Sequence, residues 1–492
     1  MGDTPGGNGY SSAHLYRMLP SVNELLLTAG IQALLAFHSH NEVVNAARSA
    51  LEQLREEITR GMHNPASLQD CVAALPIAIA DRLRRGFTFS LQPVINATGV
   101  ILHTNLGRAP LSRSALDHLV QVASGYSNLE LDLDSGERGS RDVHVESLIL
   151  ALLGSQAGIA NFAETHRAII VNNCAAAIFL ALHALAKGRD VIVSRGELVE
   201  IGGGFRIPEI LEQSGALLRE VGTTNRTRVA DYADAISSNT ALILRVHQSN
   251  FSMDGFVERP ALAELVALGE RVHIPVFEDQ GTGLLHELEP YGVQGEATLI
   301  DSLTSGCDLV AASGDKLLGG PQCGILIGRK DLVEKIRKNP LFRTFRVDKL
   351  IHAALEGTLV EHLSGSPETI PIMRMLRLTP HEIKDRCKRI VSQVDDPGLE
   401  IDVVPVESLI GGGTAPRAKL QSFAISLRHT SLGENGLLLA LRRLTPPIIG
   451  RINDECVVLD LRTVDADHDP FLLRALNDRM LAEPKAVQEA GR

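Results

Sequence analysis

Between residues 168 and 328, short apolar runs recur: AIIV (168–171), DVIVS (190–194), ALILRV (241–246), IPVFED (274–279), DLVAAS (308–313) and GILIG (324–328). All but the last pair are separated by stretches with helical spacing, a pattern that predicts a mainly parallel sheet covered on both faces. DLVAAS and GILIG are joined only by a short Gly-rich bend, SGDKLLGGPQC. A parallel crossover needs about a dozen residues or more, so GILIG is expected to run antiparallel to the rest. At the crest of that bend stands Lys316, held between an apolar run and a Gly-Gly-Pro turn.

A chain of 492 residues exceeds one compact domain. Residues 1–12 read as disordered. Leucines and alanines at helical spacing from Leu15 to about Arg85 predict a domain of three or four helices, bounded at residues 1–90. The stretch GFTFSLQP (86–93) reads as a linker. The alternating region is assigned to residues 91–345, an α+β domain to 346–480, and a tail without signal to 481–492. Aromatic residues make up 4% of the chain and Trp is absent, so packing must rest on Leu, Ile, Val and Ala. The net charge of -11 argues against a general nucleic-acid binder but not against one RNA held by a local patch. The six cysteines form no CxxC pair, as expected of free thiols in a reducing compartment. With no signal-peptide pattern and no long apolar run, a cytoplasmic protein without membrane contact is expected.

A lysine fixed beside a pocket can form a Schiff base with pyridoxal phosphate (PLP), whose ring nitrogen then needs a carboxylate partner. Asp279 ends IPVFED where the chain enters QGTG, and carboxyl ends of strands form the crevice of an α/β sheet. Asp279 and Lys316 can therefore meet. A phosphate needs backbone donors, and the stretch VNNCAAAIFLAL offers Asn172, Asn173, Cys174 and Ala175 at the start of a helix. Cys174 reads either as a nucleophile or, with the better prior, as a small residue presenting its backbone. Each feature has an ordinary alternative: a strand-end Asp is often a turn former, an Ala-rich helix often only a capped core helix, and Gly-Gly-Pro often only a turn. Their order along the chain is the more specific observation.

The stretch RKDLVEKIRKNPLFRTFRVDK (329–349) is strongly basic. Arg343 and Arg346, three residues apart, would share one face of a helix and could clamp a tetrahedral anion. The alternative, a solvated basic helix, stands beside that reading. Arg108 in INATGVILHTNLGRAPLS, and Arg138 and Arg141 in YSNLELDLDSGERGSRD, are further anion-binding candidates or plain surface arginines. Three consecutive glycines in GELVEIGGGFRIPEI suggest a close backbone approach or a tight bend.

These segments, with LYRMLPSVNELL, HQSNFSMDGF, GDKLLGGPQCGILIG, SLIGGGTAPRAKLQS and LTPPIIGRI, resemble the bacterial selenocysteine synthases over about residues 15 to 465. The resemblance implies a PLP-dependent transferase fold of the aspartate-aminotransferase type: α/β with a mixed, mainly parallel sheet, a small N-terminal helical domain and an α+β C-terminal domain. It implies conversion of seryl-tRNA(Sec) to selenocysteinyl-tRNA(Sec) with selenophosphate, through an aminoacrylyl-tRNA. Lys316 is then the Schiff-base lysine and Asp279 the partner of the ring nitrogen. Asn173, Cys174 and Ala175 bind the cofactor, and Arg108, Arg141, Arg343 and Arg346 hold the anion. Whether Arg141 acts in its own subunit or a neighbour's is left open. The family further implies tRNA binding by the N-terminal helices and a homodecamer. Asn is expected more often at the Cys174 position, and DLGSG more often than DQGTG. Two rivals remain: a PLP-dependent lyase or β-eliminase acting on a small amino acid, and a non-catalytic tRNA-binding paralogue.

Overall fold

A computed structural model describes residues 12–86, 89–159, 161–202, 204–248 and 250–477. Residues 1–11 of the expected disordered start and the tail thus fall outside the described residues, as do Phe87 and Thr88 of the linker stretch and Gly203 of the glycine triplet, while Ser12 opens a helix. The chain divides into two compact units, Met1–Pro93 and Val94–Arg492.

The first unit contains five helices among its described residues, where three or four were expected: Ser12–Arg17, Val22–Leu26, Ala29–Leu35, His40–Thr59 and Pro65–Gly86. The stretch VNELLLTAGIQALLAF, one periodic segment in the sequence, is divided into Val22–Leu26 and Ala29–Leu35. Ser21 and Ser39 each start a helix with a reciprocal capping box to Glu24 and Glu42. Helix His40–Thr59 buries Val43, Ala47, Ala50, Leu51 and Leu54 in a stripe that packs with Leu75, Ile79 and Leu83 of the last helix.

The second unit is built on a seven-stranded sheet: β1 (His166–Val171), β2 (Asp190–Ser194), β3 (Leu217–Val221), β4 (Thr240–Val246), β5 (Val276–Gly281), β6 (Leu309–Ser313) and β7 (Gly324–Arg329). Their spatial order is β1-β7-β6-β5-β4-β2-β3. As expected, β7 is antiparallel to β6, and it is also antiparallel to β1, while the other neighbours pair in parallel. Alternate residues face opposite layers. Ile170, Ile192, Ile243, Val276 and Val310 pack toward helices Val143–Ala157, Leu262–Val272 and Lys349–Leu363. Ile169, Val193, Leu244, Phe277 and Ala311 pack toward Cys174–Ala186, Ile207–Ser214 and Lys330–Arg337.

A five-stranded sheet lies in the C-terminal part, dominated by the long hairpin Leu399–Gly411 and Thr414–His429. Two segments cross the boundary expected at residue 345. Val100 pairs with Leu409 in this second sheet, and Ile95 with Ile448. Conversely, helix Lys349–Leu363 packs on helices Arg113–Ala123 and Val143–Ala157 of the large layer. Both choices follow from apolar content: VIL (100–102) fills a sheet edge, and Leu355 and Leu359 complete the core over β6 and β7. No helix among the described residues is long and apolar enough to cross a membrane.

Candidate functional site

Strand β6 ends at Ser313, and the turn to β7 is pinned at several points. Gly314 donates to the Cys323 carbonyl at 2.9 Å, Leu317 to the Thr282 carbonyl at 2.9 Å, and Gly319 to the Lys316 carbonyl at 3.0 Å. His362 donates through Nε2 to the Leu318 carbonyl at 2.9 Å. Lys316 is buried, and its Nζ donates to the Gly413 carbonyl, at the tip of the long hairpin, at 3.3 Å. Burial pushes the Lys316 ammonium below its ordinary range, against the pull of nearby Asp279.

Asp279 sits at a bulge of β5: Ala311 pairs with Asp279 but Ala312 pairs with Gly281, so Gln280 is the extra residue. Gln280 is tied down by Thr282, Gly283 and the Ala297 carbonyl. The buried Asp279 carboxyl is pushed up to about 6 by desolvation, with Lys316 opposing the rise. The Cys174 thiol donates to Asp279 Oδ1 at 3.6 Å. Burial holds that thiol well above its ordinary range, so it remains protonated and is not an activated nucleophile.

Asn173 caps helix Cys174–Ala186, its side chain accepting from the Ala176 amide at 2.8 Å. The Cys174 and Ala175 amides precede any intrahelical acceptor and are left for a ligand. The loop is set by a close backbone crossing: a Cβ on Gly324 would lie 2.1 Å from the Asn173 carbonyl oxygen. Asn172 donates to the Phe345 carbonyl at 2.9 Å, and Val171 forms a bridge with Arg346. The arginine segment therefore lies alongside the end of β1.

Arg343 and Arg346 are not on one helix face. The helix Phe342–Phe345 is a single turn, and Arg346 follows it in extended conformation, drawn out by its bridge to Val171. Arg346 lies 3.8 Å from Glu130, which also takes an ion pair from Arg141 and one from Arg138 at 2.6 Å. Arg141 is further held by the Val347 carbonyl at 2.7 Å. The exposed Arg343 guanidinium makes no hydrogen bond or ion pair among the described residues. Arg108 adopts a left-handed backbone (φ 62°) and reaches Asp315 at 2.7 Å, which also accepts from Ser313. Lys316, Asp279, Cys174 and Arg108 are thus gathered at one place, with Arg141 and Arg346 in a second cluster around Glu130.

Two residues went unnoticed in the sequence. Asp315, directly before the lysine, is legible in retrospect as the acid of GDK. Glu130 is one of several acids in its loop, and nothing in the spacing distinguishes it.

The sequence matches the family described as L-seryl-tRNA selenium transferase over residues 94–465, and the selenocysteine synthase N-terminal family over residues 16–55. The chain belongs to the L-seryl-tRNA selenium transferase family. It is 44% identical over 426 residues to the L-seryl-tRNA(Sec) selenium transferase of Aquifex aeolicus, covering 86% of this chain and 90% of that one. With the Geobacter metallireducens enzyme of the same name it shares 42% identity, covering 94% and 99%. Among solved structures, D-glucosaminate-6-phosphate ammonia-lyase superposes with a TM-score of 0.54 at 19% identity, covering 80% of this chain and 96% of that one. That likeness extends the α/β architecture beyond the family.

Proposed function

We propose that this chain transfers selenium from selenophosphate to the seryl group of seryl-tRNA(Sec), with pyridoxal phosphate held at Lys316. The observation that carries the reading is the buried Lys316 and Asp279 pair beside the open amides of a capped helix. The residues fit the cofactor: Lys316 would carry its aldehyde carbon, Asp279 its ring nitrogen, and the amides of Cys174 and Ala175, presented by Asn173, its phosphate. When bound, the cofactor supplies an electron sink for the carbon that loses its α-proton.

Burial weakens the hold of Lys316 on its proton, which favours the neutral amine that would accept the α-proton of serine. Arg108 is positioned beside Lys316 by Asp315 and brings positive charge to the same pocket. Arg141 and Arg346, with Arg343 near them in sequence, would hold the selenophosphate dianion, which has to exchange with the Glu130 carboxylate. The β-hydroxyl leaves, selenium bonds to the β-carbon, and phosphate departs as the selenium–phosphorus bond is hydrolysed.

The N-terminal helices, which match the selenocysteine synthase N-terminal family over residues 16–55, are proposed to meet the tRNA. A cytoplasmic homo-oligomer, a decamer by resemblance, is supported by six free cysteines and by exposed Leu116, Val120, Val360 and Leu363 on two packed helices. The deciding experiment supplies seryl-tRNA(Sec) and selenophosphate to the purified protein. Selenocysteinyl-tRNA(Sec) is the expected product. Ammonia release from a free amino acid, with no change to the seryl-tRNA, would favour the lyase reading instead.

A further inference from the structure

Beside the lysine pocket lies a second cavity of about 1020 Å³ that the chemistry above does not use. It opens at the carboxyl ends of β4 and β5, where ligands of open α/β sheets bind. It adjoins the site on two sides. His247, in its wall, donates to the Asp279 carbonyl at 2.9 Å. Ala415 and Pro416, also in its wall, follow Gly413, whose carbonyl accepts from Lys316 at 3.3 Å. Two residues of chain span at most about 7 Å, so the wall at Ala415 lies within about 10 Å of the lysine nitrogen.

Its lining is built for an anion joined to a flat apolar group. Arg259 lines it and makes no hydrogen bond or ion pair among the described residues. Arg245 and Arg417 line it too, and their charge, after burial, pulls the Arg259 guanidinium below its ordinary range. Arg417 is tied only to an exposed Asp254 and the Met253 carbonyl. The buried Glu278 carboxyl takes a hydrogen bond from Ser302, but its Oε2 has no hydrogen-bond partner among the described residues. Of the other acids of the wall, Asp301 caps its own helix through Thr298, and Glu296 lies 3.4 Å from His247 with its own Oε2 making no hydrogen bond among the described residues. Phe251 and Met253 add apolar surface.

An unpaired buried acceptor and an unpaired cation in one cavity call for a ligand carrying both a donor and negative charge. Pockets of about 300–1,000 Å³ enclose ligands much larger than one phosphate. Resting on the seryl-tRNA reading, the substrate itself is such a ligand. Its serine is esterified to the ribose of the terminal adenosine, so that nucleotide must lie next to whatever holds the serine. We propose that this cavity seats the 3′-terminal nucleotides of the aminoacyl-tRNA, with Arg259 and Arg417 on the last phosphodiesters and Glu278 accepting from the adenine amine. Phe251 and Met253 would then face the base, as apolar side chains do in single-strand sites.

The test uses the holoenzyme and pCpA carrying serine on its 3′ carbon through an amide, a probe that cannot hydrolyse. Binding is followed by equilibrium dialysis in wild type, Arg259→Ala and Glu278→Gln. Arg259 is exposed, so its replacement should leave the fold intact, and Glu278→Gln keeps the shape of the side chain. Each variant should bind the probe about tenfold more weakly, one charge-assisted contact being lost. Replacing the terminal adenine by uracil should weaken binding to wild type but not to Glu278→Gln. Equal binding by all three proteins, or full displacement of the probe by an equimolar amount of inorganic phosphate, overturns the subsite. Selenocysteinyl-tRNA formation is assayed in parallel: an enzyme that makes it while binding the probe independently of both side chains loses the subsite alone, and one that makes none loses the substrate reading with it.

Discussion

Replacing Asp279 by Asn should make the cofactor-free protein more stable and the enzyme useless. Desolvation raises the Asp279 carboxyl from its ordinary 3.8 to about 6. A raised carboxyl binds its proton more tightly in the native state than in the unfolded one. Below about pH 3 both states are protonated and the site carries no penalty. Above about pH 6 the native state holds a desolvated carboxylate and is destabilised by about 3 kcal/mol. Asn has the same shape and no charge, so it removes that penalty. Part of the gain is offset because Lys316 loses an attractive neighbour and gives up its proton more readily. Urea unfolding of the cofactor-free proteins, followed by circular dichroism, should place the variant up to about 3 kcal/mol above wild type at pH 8, with the difference vanishing near about pH 3. The same variant should retain little cofactor, since the ring nitrogen loses its anionic partner. A variant less stable than wild type at pH 8, or a difference that does not change with pH, would refute the electrostatic account. The residue is then a stability cost maintained for function.

Lys316→Ala should lack the yellow absorbance of a lysine-bound cofactor; a retained band would remove it from that role. Glu130→Gln should free Arg141 and Arg346, so that inorganic phosphate inhibits selenium transfer at several-fold lower concentration than in wild type; unchanged inhibition would separate these arginines from the anion site. Gly324→Ala should destabilise the protein by about 1–3 kcal/mol and weaken cofactor binding, because the added carbon would meet backbone at 2.1 Å and not a side chain that can swing away. Gly433→Ala, where nothing lies within 4 Å, is the control for thermal melts.

Strand positions and the antiparallel turn at Lys316 were legible because period, length and loop reach are local properties of the chain. The meeting of Lys316 with Asp279 was legible for a similar reason, since strand ends share one edge. Glu130 was not, because an acid becomes a counter-ion only when arginines from residues 138 to 346 arrive around it. The face shared by Arg343 and Arg346 failed on a tertiary fact: the bridge of Arg346 to Val171 outweighs the weak helical preference of a single turn. The unpaired Arg259 and the open Oε2 of Glu278 left no trace in spacing, as neither burial nor a missing partner is written in one dimension.

The pairing of Ile95 with Ile448 and of Val100 with Leu409 bears on how the molecule is made. A ribosome adding about 5–20 residues per second delivers the partners of this early segment tens of seconds after the segment itself. Until then the apolar 95–102 stretch has no sheet to join, and the loop that follows it rests on Asp315, which Arg108 and the Ala109 amide reach. The hairpin tip that supplies Gly413 to Lys316 is equally late. Nascent chains, and any product truncated before residue 399, would hold the large sheet without the Gly413 carbonyl that accepts from Lys316. That contact is made only when synthesis is almost finished.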